Sequence, residues 1–391
     1  MTSKIFAPAL LSLIATAALV ACGGGGSGTT ATTPATTPVA AVDVVADGSA
    51  AVATNIGATV IAGASSDEEV YNMAADIGDS WQLVLNNKTS QYVIKVLKSQ
   101  YNLTTSTPAT FTKTTVGTVT TVKDASGSAM SVQIDTRTKS VAGNVTVGGR
   151  AASVSGSGYA IADASKLAGT YFFAGSTRNI DGQFRDTPLG SFIIAANGTD
   201  ITVCDRGIVV NGACAVVPSS GRTTVATKSL KISKDSAGLL RITDGTKDFG
   251  ILNVSAGDRG PVLVIDRFGP NDDIPAILRT GVFFAAKSAK LAGSEFNGTW
   301  TCSNSGSDFA TLTVSGTTYS IASKSATNPG TLQYNKVVNN LNVAIDLDGV
   351  LIAKNNTEQL ADSVLVLPLS SSVVVVVESS RSLLNICRKG S

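Results

Sequence analysis

Over most of its length this chain alternates apolar and polar residues in short runs that are broken by turn residues. "SWQLVLNN" sets Trp81, Leu83 and Leu85 on one face, and "MSVQID" does the same with Met130, Val132 and Ile134. A period of two is that of a strand with one buried face. In "SLKISKDSAGLLRITD" the pairs Leu230/Ile232 and Leu240/Ile242 flank residues 235–238, and in "TLTVSGTTYSIAS" Leu312/Val314 and Tyr319/Ile321 flank Ser315-Gly316. Both read as hairpins. Charged residues make up only 15% of the chain and hydrophobic ones 43%, with Thr, Ser, Gly and Val prominent, a mixture that suits pleated structure. The expected fold class is all-β, built from tandem antiparallel β-sandwich or barrel-like modules.

Two segments depart from the alternation. "VVVVV", Val373 to Val377, is too short to span lipid and reads as a strand buried on both faces. "SSDEEVYNMAADIG" predicts one or two turns of helix, with Ser66 and Glu69 as a capping box ahead of Val70, Met73 and Ala74. Asp67, Glu68 and Glu69 would then lie at a helix N-terminus, where negative charge is favourable.

The first residues carry Lys4 and a nearly unbroken apolar run over residues 5–20, which suits a secretory signal better than a membrane span. Leu19-Val20-Ala21-Cys22 resembles the lipobox of bacterial lipoprotein signals, in which the cysteine is acylated and becomes the new N-terminus. The resemblance implies that residues 1–21 are a lipoprotein signal peptide and that Cys22 is a lipid anchor; an ordinary signal peptide cut nearby is the alternative. Residues 22–45, with Gly23 to Gly28 and "TTATTPATTP", bury nothing and read as a disordered tether. This start resembles those of Gram-negative surface lipoproteins such as the transferrin-binding and factor-H-binding families. The likeness covers under a tenth of the chain and, through Gly23 after the cysteine, implies outer-membrane sorting.

Four cysteines remain, Cys204, Cys214, Cys302 and Cys387, in a chain read as exported to an oxidising compartment. Of the three pairings allowed, the expected one joins Cys204 to Cys214 around an Asn211-Gly212 turn, and Cys302 to Cys387 across the ends of the last module. Loop closure makes the short bridge worth roughly 2.5–3 kcal/mol and the long one roughly 4.5 kcal/mol. With no C-x-x-C spacing and no histidine, a metal site from these cysteines is disfavoured.

A weak repeat divides the body. Lys-Leu-Ala-Gly begins at Lys166 and again at Lys290, a spacing of 124 residues, each time between apolar and aromatic strands. It predicts three β modules, at residues 46–163, 164–287 and 288–391. The middle one, from "LAGTYFFAGS" to "ITVCDRGIVVNGAC", resembles a group of uncharacterised proteobacterial lipoproteins with no known activity. Gly298-Thr299-Trp300 resembles the G-x-W opening strand of lipocalin- and avidin-type barrels, implying a small barrel for the last module; a plain core tryptophan is the competing reading.

The 30 basic and 28 acidic residues are spread along the chain, which argues against a nucleic-acid partner. The absence of histidine excludes Ser-His-Asp and Cys-His nucleophile systems and His-ligated metals. No catalytic residue, cofactor or metal is assigned. Asp272 and Asp273 in "GPNDDIP" and Asp346 and Asp348 in "DLDG" read as turn residues, and Arg178, Arg185 and Arg206 as either an anion site or an exposed loop. The expected function is an envelope-anchored lipoprotein at the bacterial outer membrane, periplasmic or surface-facing, that is not an enzyme. It would capture a host protein, a glycan or a small nutrient ligand through loops or a barrel mouth. The alternative is a structural component of the outer membrane that assembles with copies of itself or with other proteins.

Overall fold

A computed structural model of the chain describes residues 46–389 apart from 184, 206, 217–225, 271–275, 305–306, 324–326, 339–343, 358, 361–362 and 379–382. Residues 1–45, on which the signal-peptide, tether and Cys22-anchor readings fall, and Arg206, Asp272 and Asp273 lie outside the described residues. The alternation folds into closed barrels of eight antiparallel strands rather than sandwiches, and there are three of them in series. A helix α1 (Ala46–Asn55) and a short strand β1 (Ala58–Val60) come first. Strands β2–β9 (Glu68–Ala75, Asp79–Asn86, Gln91–Lys98, Ala109–Val116, Val119–Asp124, Met130–Asp135, Ser140–Val147, Arg150–Ser157) form the first barrel. β10 (Tyr159–Ile161) pairs with β1.

The second barrel uses β11 (Gly169–Asn179), β12 (Leu189–Ile194), β13 (Asp200–Asp205), β16 (Ala226–Lys234), β17 (Leu240–Thr243), β18 (Asp248–Gly257), β19 (Gly260–Pro270) and β20 (Leu278–Lys287). Between β13 and β16 it carries a side hairpin, β14 (Gly207–Val210) and β15 (Ala213–Val216). Strands β21–β28 (Gly298–Asn304, Ser307–Ser315, Thr318–Ser323, Thr327–Val338, Ala344–Asn355, Val364–Pro368, Val373–Glu378, Leu383–Lys389) close the third. Among the described residues no helix is long and apolar enough to cross a membrane.

Closure brings first and last strands together, and small residues allow it. In the first barrel Met73 pairs with Gly156, where a Cβ would lie 1.8 Å from the Asn72 carbonyl oxygen. In the third, Cys302 on β21 pairs directly with Cys387 on β28 and is disulfide-bonded to it, so the bridge ties the barrel shut.

Each interior is filled by the faces that alternate inward. Trp81, Leu83, Leu85, Val132 and Ile134 pack in the first barrel, Tyr171, Phe192, Leu230, Ile232 and Ile242 in the second, and Trp300, Leu312, Leu351 and Val374 in the third. Ile56, Val52 and Ile161 join the second core, so α1 and the β1–β10 ribbon close one end of that barrel.

The outward faces are not all wet. Ala74 and Ala142 of the first barrel, Phe172, Val262, Val264 and Phe284 of the second, and Leu367, Val375 and Val377 of the third form a separate apolar cluster where the barrels meet. Val374 and Val376 face the third core while Val375 and Val377 face this seam, which is why five valines run together. All three barrels belong to one compact unit, Asp43–Ser391. Three turns lock the seam. The Arg137 guanidinium donates to Asp135 (3.1 Å), to Asp258 of the second barrel (3.3 Å) and to Ser371 of the third (2.7 Å), while Ser371 N–H and Ser372 Oγ donate to Asp258 and Asp135.

The structure corrects three readings. Residues 68–75 form strand β2, not a helix: Tyr71, Met73 and Ala75 face the core, and Ala74 faces the seam, so burial on both sides imitated a helical face. Glu69 accordingly sits on a strand, accepting hydrogen bonds from Tyr71, Asn87 and Lys113. Asp346 and Asp348 lie on a strand, β25, exposed on its outer face, with Asp346 paired to Lys336 at 2.7 Å; they are not turn residues.

The third correction concerns the repeat, whose structural register differs from the textual one by five residues. Tyr171 Oη donates to the Leu167 carbonyl (2.6 Å), and Trp300 Nε1 donates to the Phe296 carbonyl (2.8 Å). Gly169 and Gly298 precede them with φ of 143° and 125°, each packed against a lysine from the last strand of its barrel, Lys287 or Lys389. The matching segments are therefore 129 residues apart, Leu167 to Tyr171 against Phe296 to Trp300, rather than the 124 of the Lys-Leu-Ala-Gly match.

Candidate functional site

The barrels meet at a recess of about 60 Å³ walled by the outward faces of β9, β11, β20 and β28. Strand alternation supplies its lining. Along β28 Leu384, Ile386 and Arg388 share the face opposite Cys387, and along β11 Ser176 and Arg178 continue the outward row of Phe172 and Ala174. Ser153 and Ser155 do so on β9, as do Val282 and Phe284 on β20.

Asp76 enters at the end of β2. Its N–H donates to the Ser153 carbonyl (2.9 Å) and its Oδ1 accepts from Ser153 N–H (3.1 Å), which pins the carboxylate against β9. Burial pushes its pKa above the ordinary carboxylate value, opposed by the charge of Arg178, the Ser153 N–H and the charge of Arg185. Arg185 comes from the β11–β12 loop, which is tied back by paired backbone bonds between Thr177 and Asp186 (2.8 Å each) and by the Asn179–Gln183 bond (2.9 Å). Arg279 braces the same loop, donating to Asp186 Oδ2 (3.4 Å) while its Nε donates to Thr177 Oγ1 on β11 (2.8 Å).

Neither the Arg178 nor the Arg185 guanidinium makes a hydrogen bond or ion pair among the described residues, whereas Arg388 donates to Ser303 Oγ at 3.1 Å. Ser155 is 5% exposed and its Oγ has no hydrogen-bond partner. The recess thus gathers three guanidiniums, one carboxylate and several hydroxyls on partly apolar walls. Such a mixture is suited to holding a small anion.

A second niche, also about 60 Å³, opens inside the second barrel among Phe173, Phe192, Phe249 and Phe283, with Arg267 4.2 Å from the Phe249 ring. It is wholly apolar and has room for only a few methylene groups.

The structure forms the disulfides Cys204–Cys214 and Cys302–Cys387. The first staples the β14–β15 hairpin, whose Asn211 and Gly212 both take positive φ, to the wall of the second barrel. Trp300, fully buried, is a core residue on the opening strand of a closed barrel. Of the arginines singled out in the sequence, Arg178 and Arg185 come together here. Asp76, Ser155 and Arg388 had no signal in the sequence, because nothing local connects two ends of the first barrel with the last strand of the third. No group of three or more His, Cys, Asp or Glu positioned for a metal occurs among the described residues.

No protein-family model matches this sequence, and a search of curated proteins finds no match. Among solved structures, intact Ap-TbpB with its N and C lobes is similar over 80% of this chain and 66% of its own length, with 10% identity and a TM-score of 0.16. The chain therefore spans just under two thirds of that structure, and at this level of similarity nothing about the present protein is argued from it.

Proposed function

We propose that this is a lipid-anchored binding protein of the bacterial envelope, not an enzyme, whose ligand is taken at the junction of the barrels rather than inside them. The observation that carries the reading is a contrast. The barrel interiors are lined by apolar side chains, and the niche inside the second barrel offers no polar group, while charged groups from all three barrels converge on one recess outside them. A rigid scaffold with polar groups gathered in a concavity is the usual design of a binding site. The anchor reading rests on Leu19 to Cys22 and on the glycine-rich stretch that follows. The absence of histidine supports a non-catalytic role. A host protein, a glycan or a small nutrient is the ligand class that a tethered capture protein at the outer membrane would serve.

Two measurements test this. Mass spectrometry of the N-terminal peptide should find acylated Cys22, and protease treatment of intact cells should separate surface display from a periplasmic position. A monomer that retains an outside ligand, and loses it when Arg178 is replaced by Gln, supports capture. A stable homo-oligomer with no outside ligand would favour the structural alternative.

A further inference from the structure

We propose that β5 is a self-association edge: residues 112–116 of two copies of this chain pair antiparallel about Thr114 and continue one sheet across the contact.

The first barrel is closed at β4 and β5 by only two residue pairs, Gln91 with Thr110 and Tyr92 with Ala109, followed by a bond from Phe111 N–H to the Ser90 carbonyl (3.0 Å). Beyond that point β5 and β6 run on together to Val116 and Val119, past the β3–β4 turn, so β5 has a neighbour on one side only. Residues 112–116 are all exposed, Val116 to 51%. The register says which groups are open. Gly117 and Thr118 form a two-residue turn, which makes Val116 and Val119 a hydrogen-bonded pair, and Thr114 and Thr112 bond to β6 in the same way. Lys113 and Thr115 therefore aim their N–H and C=O groups away from β6, and these four groups have no partner among the described residues.

Proteins guard such an edge with proline, a bulge or a charge. β5 has no proline and no bulge, and its one charge, Lys113, is neutralised by Glu69 at 2.8 Å. The edge is also its own complement. Pairing about Thr114 sets Lys113 opposite Thr115 of the second copy and Thr115 opposite its Lys113, so all the open groups of both copies are satisfied at once. Thr114 then meets Thr114, and Thr112 meets Val116, which are favourable cross-strand pairs with no like charges opposed. Other registers do worse: centring on Lys113 opposes two lysines, and centring on Thr115 leaves Lys113 unbonded. The contact is isologous, as a two-fold dimer requires. Five residues per copy bury less than the roughly 1,200 Å² of a stable specific interface, so the dimer is concentration-dependent. β5 takes no part in the walls of the recess, which stays open in the dimer.

The experiment combines analytical ultracentrifugation of the full-length protein over a concentration series with disulfide trapping. A monomer–dimer equilibrium is expected. Thr114→Cys places two thiols at a non-hydrogen-bonded pair, about 4.5 Å apart at Cα and within the about 4.4–6.8 Å that a disulfide spans. On mild oxidation it should give a covalent dimer at far higher yield than the wild type, in which Cys22 sets the background. Thr112→Cys, facing Val116 of the other copy, should not. Thr115→Pro removes an open N–H and leaves the β5–β6 ladder intact, and Thr114→Lys opposes two like charges at an exposed position. Each should abolish the dimer, and the second keeps the test informative if the first disturbs the hairpin. A monomer at every concentration, equal trapping at positions 112 and 114, or a dimer that survives both Thr115→Pro and Thr114→Lys overturns the proposal. So does a chain that stays monomeric while a foreign protein protects the Lys113 and Thr115 amides from hydrogen exchange, which assigns the edge to a strand from that protein. Ligand retention at the recess is read in the Thr114→Lys monomer, so the capture reading can stand when this one falls.

Discussion

Asp266 offers a quantitative test of how the first two barrels are joined. It sits on β19 with no exposed surface, pointing out of the second barrel toward the first. Its Oδ2 accepts a hydrogen bond from Ser80 Oγ across the interface, and its Oδ1 has no partner. Burial raises its pKa to about 8; the Ser80 hydrogen bond opposes this, Asp79 reinforces it, and Lys98 and Arg267 oppose it. In the unfolded chain an aspartate titrates near ~3.9. Between those two values the folded protein holds a proton that the unfolded chain has released, so stability is fully present below about pH 4 and declines as pH rises toward about 8. At about 1.4 kcal/mol per pH unit the ceiling is about 6 kcal/mol, and relaxation around the ionised carboxylate brings the expected loss to about 2–5 kcal/mol.

Asp266→Asn preserves an acceptor for Ser80 and removes the titration. Any cost of burying the amide is the same at every pH, so the difference between the two proteins isolates the carboxyl. Asp76 and Asp258, also shifted upward, and Glu69, Asp124 and Asp248, shifted downward, cancel in that difference. The assay is urea unfolding of both proteins, disulfides intact, at intervals from pH 4.5 to pH 8.5. The variant should gain on the wild type progressively as pH rises and level off above about pH 8. A stability difference that is constant across the range would refute the argument.

Three other perturbations have defined outcomes. Arg137→Ala leaves Asp135 and Asp258 buried without their cation and should lower stability by about 3–5 kcal/mol in chemical denaturation; Arg137→Lys, lacking the forked geometry, should recover only part of it. Replacing Cys302 and Cys387 with Ala should cost about 4.5 kcal/mol, against about 2.7 kcal/mol for Cys204 and Cys214, because the first bond closes 85 residues and the second 10; comparison of the two unfolding midpoints checks the order. Trp300→Phe removes the Nε1–H donor to the buried Phe296 carbonyl and should cost about 1–3 kcal/mol, with Tyr171→Phe giving a loss of the same kind at the equivalent place in the second barrel.

The recess shows where local reading stops. Arg178 and Arg185 are seven residues apart, near enough in sequence to suggest an anion site, but Asp76 and Arg388 are separated by most of the chain. Their meeting depends on which outward faces of the three barrels pack together. The same cause explains the misread helix: Val70, Met73 and Ala74 have helical spacing because β2 is buried against the core on one side and partly against the seam on the other. A single-sided strand such as β7, with Met130, Val132 and Ile134 inward, is legible because only one face avoids water.

From the sequence alone come the all-β class, the hairpins at Asp235 and Ser315, the Cys204–Cys214 pairing and the tandem arrangement, because period, turn chemistry and loop length act over short stretches of chain. Tertiary structure decided that the sheets close into barrels, that small residues such as Ala74 and Ala142 let those barrels fuse along one apolar seam, and that guanidiniums and a carboxylate share a recess. The physical reason is that hydrophobic periodicity records which face of a strand is dry, but not which other surface has dried it.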